Sequence, residues 1–250
     1  MKLSDNPQGA FLNAQAESDA VHPMFELDRV GVRYGSACAL QSVSLSIGSG
    51  ERVALVGPNG SGKTTLLRVL NGLIEPSAGT AKRPATTRQT FLFQRPFMLR
   101  TTAQHNVALG MWLRGARWRD ARKQADEALA RVGLAALAQH SARTLSAGQQ
   151  QRLALARAWV LASDVMMLDE PTASMDSDAR HKVETLLGEF NSGRSQTLIF
   201  STHTLGQVRR LASRVICLQD GRLQADLPIQ EFLLRNDATE SGLSIEGILN

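Results

Sequence analysis

Apolar residues along the chain follow two rhythms. Over residues 25–32 and 39–47 apolar and polar positions alternate, with Leu40, Val43, Leu45 and Ile47 marking one side. Period-two patterning predicts antiparallel strands with one buried face, the second closed by Gly48-Ser49-Gly50. Residues 52–56, 90–93, 165–168, 197–201 and 215–218 form short, nearly continuous apolar runs. That is the pattern of strands buried on both faces of a parallel sheet. Helical spacing runs over 63–73, 147–161, 177–190 and 205–211, and through much of 101–140, where Ala125, Ala128, Leu129 and Val132 share a face. Asp220-Gly221 predicts a hairpin turn into 222–224. Strands alternating with helices imply an α/β fold with a mainly parallel sheet. An antiparallel β subdomain precedes it, and a helical subdomain is inserted over about 95–160. The predicted division is a loosely ordered extension (1–24), one domain (25–227), and a C-terminal helix and tail (228–250).

Composition narrows the class. A 43% hydrophobic and 20% charged chain of 250 residues is average for a globular protein and excludes wholesale disorder or a disulfide-dense miniprotein. The longest uncharged run, 34–50, is rich in Ser, Gly and Gln, and no run supplies the roughly 18 apolar residues of a spanning helix. The expectation is a chain that does not cross a membrane by itself. Residues 1–23 are polar, include Asp5, Glu17 and Asp19, and have no continuous apolar core, unlike a secretory signal. Cys38 and Cys217 lie far apart in apolar surroundings without a CxxC spacing. They are expected to be buried, reduced thiols of a cytosolic protein. The net charge of +5 is concentrated between residues 95 and 143, with nine Arg or Lys against three Asp or Glu. Such an internal basic segment is not a nucleic-acid-binding arm; a membrane, an acidic partner and water are its candidate neighbours.

The chemistry starts at Gly57-Pro58-Asn59-Gly60-Ser61-Gly62-Lys63-Thr64, which fits GxxxxGK[ST]. Phosphates need inward-facing backbone N–H groups, and glycines permit that approach. They also need a helix N-terminus, whose free donors and partial positive charge favour an anion. Lys63 would neutralise the β- and γ-phosphates, and the Thr64 hydroxyl would ligate Mg²⁺. Thr65 follows on the same first turn. Average composition gives this pattern about one chance in a hundred in a chain this long, and here an apolar strand precedes it and a helix follows.

Leu145-Ser146-Ala147-Gly148-Gln149, taken with that loop, resembles the ATP-binding cassette (ABC) family, whose signature reads LSGGQ. The resemblance spans about residues 25–225. It implies that ATP is held between the phosphate loop of one copy and Ser146, Ala147, Gly148 and Gln149 of another. Val165-Met166-Met167-Leu168-Asp169-Glu170 resembles the family's second nucleotide motif, a buried strand ending in two carboxylates. Asp169 would hold Mg²⁺ and Glu170 would be the general base toward water. Gln94 matches the Q-loop glutamine, a further Mg²⁺ or water ligand, and His203 matches the switch histidine near the γ-phosphate. Asp176, in Ala173-Ser174-Met175-Asp176, matches the D-loop aspartate that bridges the two sites, and is equally an N-cap for the next helix. Tyr34 sits where the family stacks an aromatic ring on adenine. Two positions depart from the pattern: Ala147 replaces a signature glycine, where a Cβ narrows the allowed φ, and Met175 replaces a leucine.

What the resemblance implies is an ATPase subunit of an importer, at the cytoplasmic face of the inner membrane. ATP and Mg²⁺ are its cofactors. Its partners are a second copy, separate permease subunits and a solute-binding protein, with no nucleic acid. About 25 residues follow the terminal hairpin, too few for a regulatory domain. Residues 93–100 (FQRPFMLR) resemble the Q-loop region of tungstate and related oxyanion importers; import of amino acids or other small solutes is the alternative. A soluble ABC ATPase of DNA repair or translation is the competing class. The DNA-linked kinds need a long coiled coil and the translation kinds two cassettes, and neither is present. A small-molecule P-loop kinase leaves 145–149 unexplained. Phe97, Met98 and Leu99 cannot all face one side of an element, so this run is expected to dock a permease helix or to anchor the insertion.

Overall fold

A computed structural model describes residues 23–190 and 196–237. The extension, apart from its last two residues, and the tail beyond residue 237 lie outside the described residues. Two sheets form. The first is antiparallel, in the order β2-β1-β4, from β1 (Phe25–Tyr34), β2 (Ala37–Ile47) and β4 (Ala78–Lys82). The second has the order β5-β6-β7-β3-β8-β9 and is built from β3 (Arg52–Val56), β5 (Gln89–Leu92), β6 (Val165–Asp169), β7 (Thr197–Ser201), β8 (Arg214–Gln219) and β9 (Arg222–Pro228). It is parallel except for β9, which pairs antiparallel with β8.

Period-two geometry explains how one sheet serves two cores. Along β3, Val53 and Leu55 join one hydrophobic cluster while Ala54 and Val56 join the other. Along β6, Val165 and Met167 face the first, and Met166 and Leu168 the second. Successive strand side chains point to opposite faces, so an unbroken apolar run is what a doubly covered strand requires. The first cluster packs β1, β2 and α1 (Lys63–Asn71) on one face; the second packs the inserted helices on the other. These are α2 (Ala103–Leu113), α3 (Trp118–Arg131) and α4 (Ala147–Val160). Helices α5 (Ser177–Phe190), α6 (Leu205–Leu211) and α7 (Ile229–Asp237) complete the chain.

The antiparallel sheet breaks its alternation twice, and the breaks compensate. Buried positions step by three from Leu27 to Val30 on β1 and from Leu40 to Val43 on β2. Each step contains a residue with positive φ, Arg29 at 48° and Ser42 at 52°. An extra residue in each strand restores the register, with Leu27 opposite Leu45, Val30 opposite Val43 and Val32 opposite Leu40.

Cys38 is exposed, contrary to the expectation of two buried thiols, while Cys217 is buried. Cys38 lies at the hairpin end of β2, beyond Leu40, the first core position of that strand. Burial, reinforced by the negative charge of Asp226, pushes the Cys217 thiol up to about 11. The thiolate is the reactive species, so Ellman's reagent is expected to titrate one thiol, Cys38, in the native protein. The second should react only after denaturation, and two native equivalents would contradict the placement of Cys217.

Candidate active site

The phosphate loop leaves β3 at the centre of the parallel sheet and ends at α1. Two of its glycines are required by close approach. A Cβ on Gly57 would stand 2.1 Å from the Leu218 carbonyl oxygen, and one on Gly62 would stand 2.6 Å from that of Ala39. Gly62 is also the helix N-cap, with φ 103° and no side-chain cap bond, so the first-turn donors stay open toward an anion. The loop fits a polyanion in other ways. Among the described residues the buried Ser61 hydroxyl has no hydrogen-bond partner. The Lys63 Nζ, itself buried, donates to the loop's own Gly57 and Pro58 carbonyls at 2.6 and 3.0 Å. Burial lowers the Lys63 ammonium from its ordinary value, opposed by the charges of Glu170 and Asp169. A phosphate here would give that cation a stronger partner than two carbonyls.

The end of β6 brings the acids to this loop. Thr64 Oγ1 donates to the Asp169 carboxylate at 2.8 Å. Asp169 also accepts from Ser201 Oγ at 2.8 Å, and Ser201 Oγ accepts the Glu170 backbone N–H at 2.9 Å. Asp169 and Ser201 are register partners across β6 and β7, so one hydroxyl orients both acidic residues. In the sequence, Ser201 is marked by nothing but its place at the end of an apolar run. Glu170 has φ 47°, a left-handed conformation costing of order 1–3 kcal/mol that persists where its surroundings hold it. Its carboxylate accepts from Gln94 Nε2 at 2.7 Å and lies 3.9 Å from His203 Nδ1. A concavity of about 250 Å³ is lined by Asn59, Gly60, Ser61, Gly62, Lys63, Thr64, Thr65, Ala39, Gln94 and Glu170. Lys63, Thr64, Gln94 and Glu170 thus line one cavity, with Asp169 bonded to Thr64 and His203 beside Glu170, and the six residues come from four separate segments.

The remaining expected residues do not line it. Tyr34, half-exposed, ends β1 opposite Ala37. Ser146 is the N-cap of α4 in a reciprocal capping box: its hydroxyl accepts from Gln149 N, and its own N–H donates to Gln149 Oε1 at 2.8 Å. Ala147 is the first residue of that helix and has no positive φ, so the missing glycine costs the backbone nothing. Gly148 is needed for space, because a Cβ there would stand 2.8 Å from the Ser174 carbonyl. The signature of a chain therefore packs on its own D-loop. Asp176 accepts from Ala179 N at 2.8 Å, which makes it an N-cap of α5 and holds its carboxyl below the usual carboxylate range.

A buried amide and a half-buried guanidinium fix the segment between the site and the insertion. Asn106 accepts from Leu99 N at 3.0 Å and donates to the Thr102 carbonyl at 2.9 Å; Arg157 Nη1 donates to the Phe97 carbonyl at 2.7 Å. Met98 is buried in the core of the insertion, whereas Phe97 is 70% exposed. The run 97–99 thus divides, Met98 anchoring and Phe97 facing outward. Phe97 also lines a cleft of about 300 Å³ with Pro96, Phe93, Arg157 and Leu161.

Residues 40–173 match the family model described as ABC transporter. The chain is 36% identical over 218 residues to the glutamine transport ATP-binding protein GlnQ of Escherichia coli, covering 81% of this chain and 90% of that one. It is also 36% identical over 210 residues to the Fe(3+) ions import ATP-binding protein FbpC 1 of Rhizobium meliloti, covering 80% of this chain but only 60% of that protein's length. Among solved structures, it is similar to the dimeric post-hydrolysis state of the ATP-binding cassette MJ0796 bound to ADP and Pi. The TM-score is 0.76 at 31% identity, over 82% of this chain and 99% of that one. With its phosphate loop, acidic strand end and signature helix in this arrangement, the chain belongs to the ABC transporter family and is one of its ATPase cassettes.

Proposed function

We propose that the chain is the ATP-hydrolysing subunit of an importer. It works as a pair of copies beneath separate permease subunits at the cytoplasmic face of the inner membrane. One observation supports this reading most. Lys63, Thr64, Gln94 and Glu170 of one chain line the cavity, with Asp169 bonded to Thr64 and His203 beside Glu170, while Ser146 and Gly148 stand at a separate helix N-terminus outside it. A second copy can bring that terminus to the open side of the nucleotide. Glu170 then takes a proton from the attacking water, Gln94 positions that carboxylate, and His203 faces it from the loop after β7. Thr64, Asp169 and Gln94 would hold Mg²⁺, an oxygen donor set suited to an ion that keeps several waters. Bound there, the ion would neutralise charge on the phosphates. Tyr34 would stack on the base, and Asp176 would reach toward the second site without ceasing to cap α5.

Among the described residues, no helix is long and apolar enough to cross a membrane, which agrees with spans supplied by other chains. The two named relatives serve an amino acid and a metal ion, so overall likeness does not choose the solute. The run 93–100 favours tungstate or a related oxyanion, delivered by a solute-binding protein; amino-acid import is the alternative. The test is recovery of the tagged chain from detergent-solubilised membranes. Stoichiometric recovery with an integral membrane protein supports the reading. Recovery with ribosomes or nucleic acid instead would favour the soluble class.

The cleft beside Phe97 is the docking surface in this proposal. Phe97→Ser with Leu99→Ser spares the buried anchor Met98. The isolated subunit should keep its melting temperature while assembly with the permease and solute-stimulated ATPase weaken. A large fall in melting temperature with assembly intact would return both residues to the core.

A further inference from the structure

The corner between α2 and α3 carries a surface that nucleotide chemistry does not use. Trp112, Leu113 and Trp118 are all exposed there, Leu113 at 70%. The two indoles meet edge to face with centroids 6.2 Å apart, and the His105 ring lies 5.2 Å from Trp118. Large apolar side chains gathered in water need a cover. Arg114, Arg117, Arg119, Arg122 and Lys123 surround them, all exposed, and Asp120 is the one acid between residues 112 and 123. Among the described residues none of these five cations has an ion-pair partner within 4.0 Å. Arg114 donates to the Leu161 carbonyl at 2.5 Å, and Leu161 lines the same cleft as Phe97. Corner and cleft therefore adjoin.

The mixture of residues points to lipid more than to protein. Protein interfaces share the enrichment in tryptophan and arginine but are depleted of charge at their centres, whereas here five cations of one sign surround the indoles with a single acid among them. Indole rings settle at the headgroup level of a bilayer, and basic side chains there are drawn to anionic lipids. We propose that this corner rests on an anionic phospholipid surface. Trp112, Leu113 and Trp118 enter the headgroup layer, and Arg117, Arg119 and Lys123 meet lipid phosphates. The contact needs no permease, so it stands or falls separately from the import reading.

Two of the three tryptophans in the chain lie in this corner, which makes their emission the natural readout. The intact purified chain is mixed with phosphatidylcholine vesicles, with and without phosphatidylglycerol, and followed by co-sedimentation and tryptophan fluorescence. Binding and a blue shift are expected with phosphatidylglycerol, weak binding without it, and release at high salt. Arg117→Gln with Arg119→Gln should weaken binding by about fivefold per cation. Trp112→Ser with Leu113→Ser should lose the blue shift, with melting temperature and ATPase rate unchanged because both side chains are exposed. Absence of wild-type binding to anionic vesicles overturns the proposal, as does binding that both double variants retain in full. It also fails if these residues matter only for capture of purified permease in neutral lipid, which would make the corner a protein contact.

Discussion

Glu170→Gln is expected to bind ATP as tightly as the wild-type chain and to turn it over about 10²–10⁴-fold more slowly, the usual contribution of a positioned general base. The substitution isolates one property. Gln has nearly the volume of Glu, its amide carbonyl can still accept from Gln94 Nε2, and the backbone N–H remains on Ser201 Oγ. What disappears is a group able to take a proton from water. A fall of that size corresponds to about 3–5 kcal/mol of barrier, more than the 0.5–1.5 kcal/mol of a typical hydrogen bond lost alone. Wild-type turnover in this variant would remove Glu170 from the base role. Lost ATP affinity with unchanged maximal rate would assign the residue to binding instead.

Mixing two inactive chains should restore activity. Ser146→Arg places bulk and charge at the N-terminus of α4 and removes a cap worth about 1 kcal/mol, a loss a folded domain tolerates. Lys63→Ala removes the ammonium that lines the phosphate cavity. Each homodimer then has two damaged sites. In a mixed dimer, trans action puts both lesions into one composite site and leaves the other whole. Random pairing makes half the dimers mixed, so the mixture should recover up to about a quarter of the wild-type rate. A mixture as inactive as its parents means either that Ser146 acts within its own chain or that the two sites must fire together. A covalently linked dimer with one wild-type half and one doubly substituted half separates those two cases.

Much of this site was legible because its groups are tied to chain-local patterns. The phosphate loop needs glycines in sequence, the acids need the end of an apolar run, and Ser146 needs Gln149 three residues on to close its capping box. The boundaries of α5, β7 and α6 follow from the same local rhythm. Features set by neighbours distant in sequence were not legible. Ser201 acts on Asp169 and Glu170 because β6 and β7 pair in one register, and no spacing along the chain encodes that. Strand β4, Ala-Gly-Thr-Ala-Lys, is an edge strand with four of its five residues exposed, so it has no apolar alternation to read. Strand β9 runs past residue 224 to Pro228, and Arg214 on β8 holds Asp226 there with two hydrogen bonds of 2.6 Å. The division of 97–99 into a buried Met98 and an outward Phe97 depends on Arg157 and Asn106, which reach the segment from two different helices.

A nucleotide shared between two copies should hold them together, and mass measures that directly. Sedimentation of Glu170→Gln, which should bind ATP without consuming it, is predicted to give a monomer without nucleotide and a dimer with saturating ATP and Mg²⁺. Adding Ser146→Arg to the same chain should return it to monomer, because the helix terminus that closes the site is then blocked. A chain that stays monomeric with ATP demonstrably bound, or a dimer indifferent to both ATP and Ser146, would contradict the composite site.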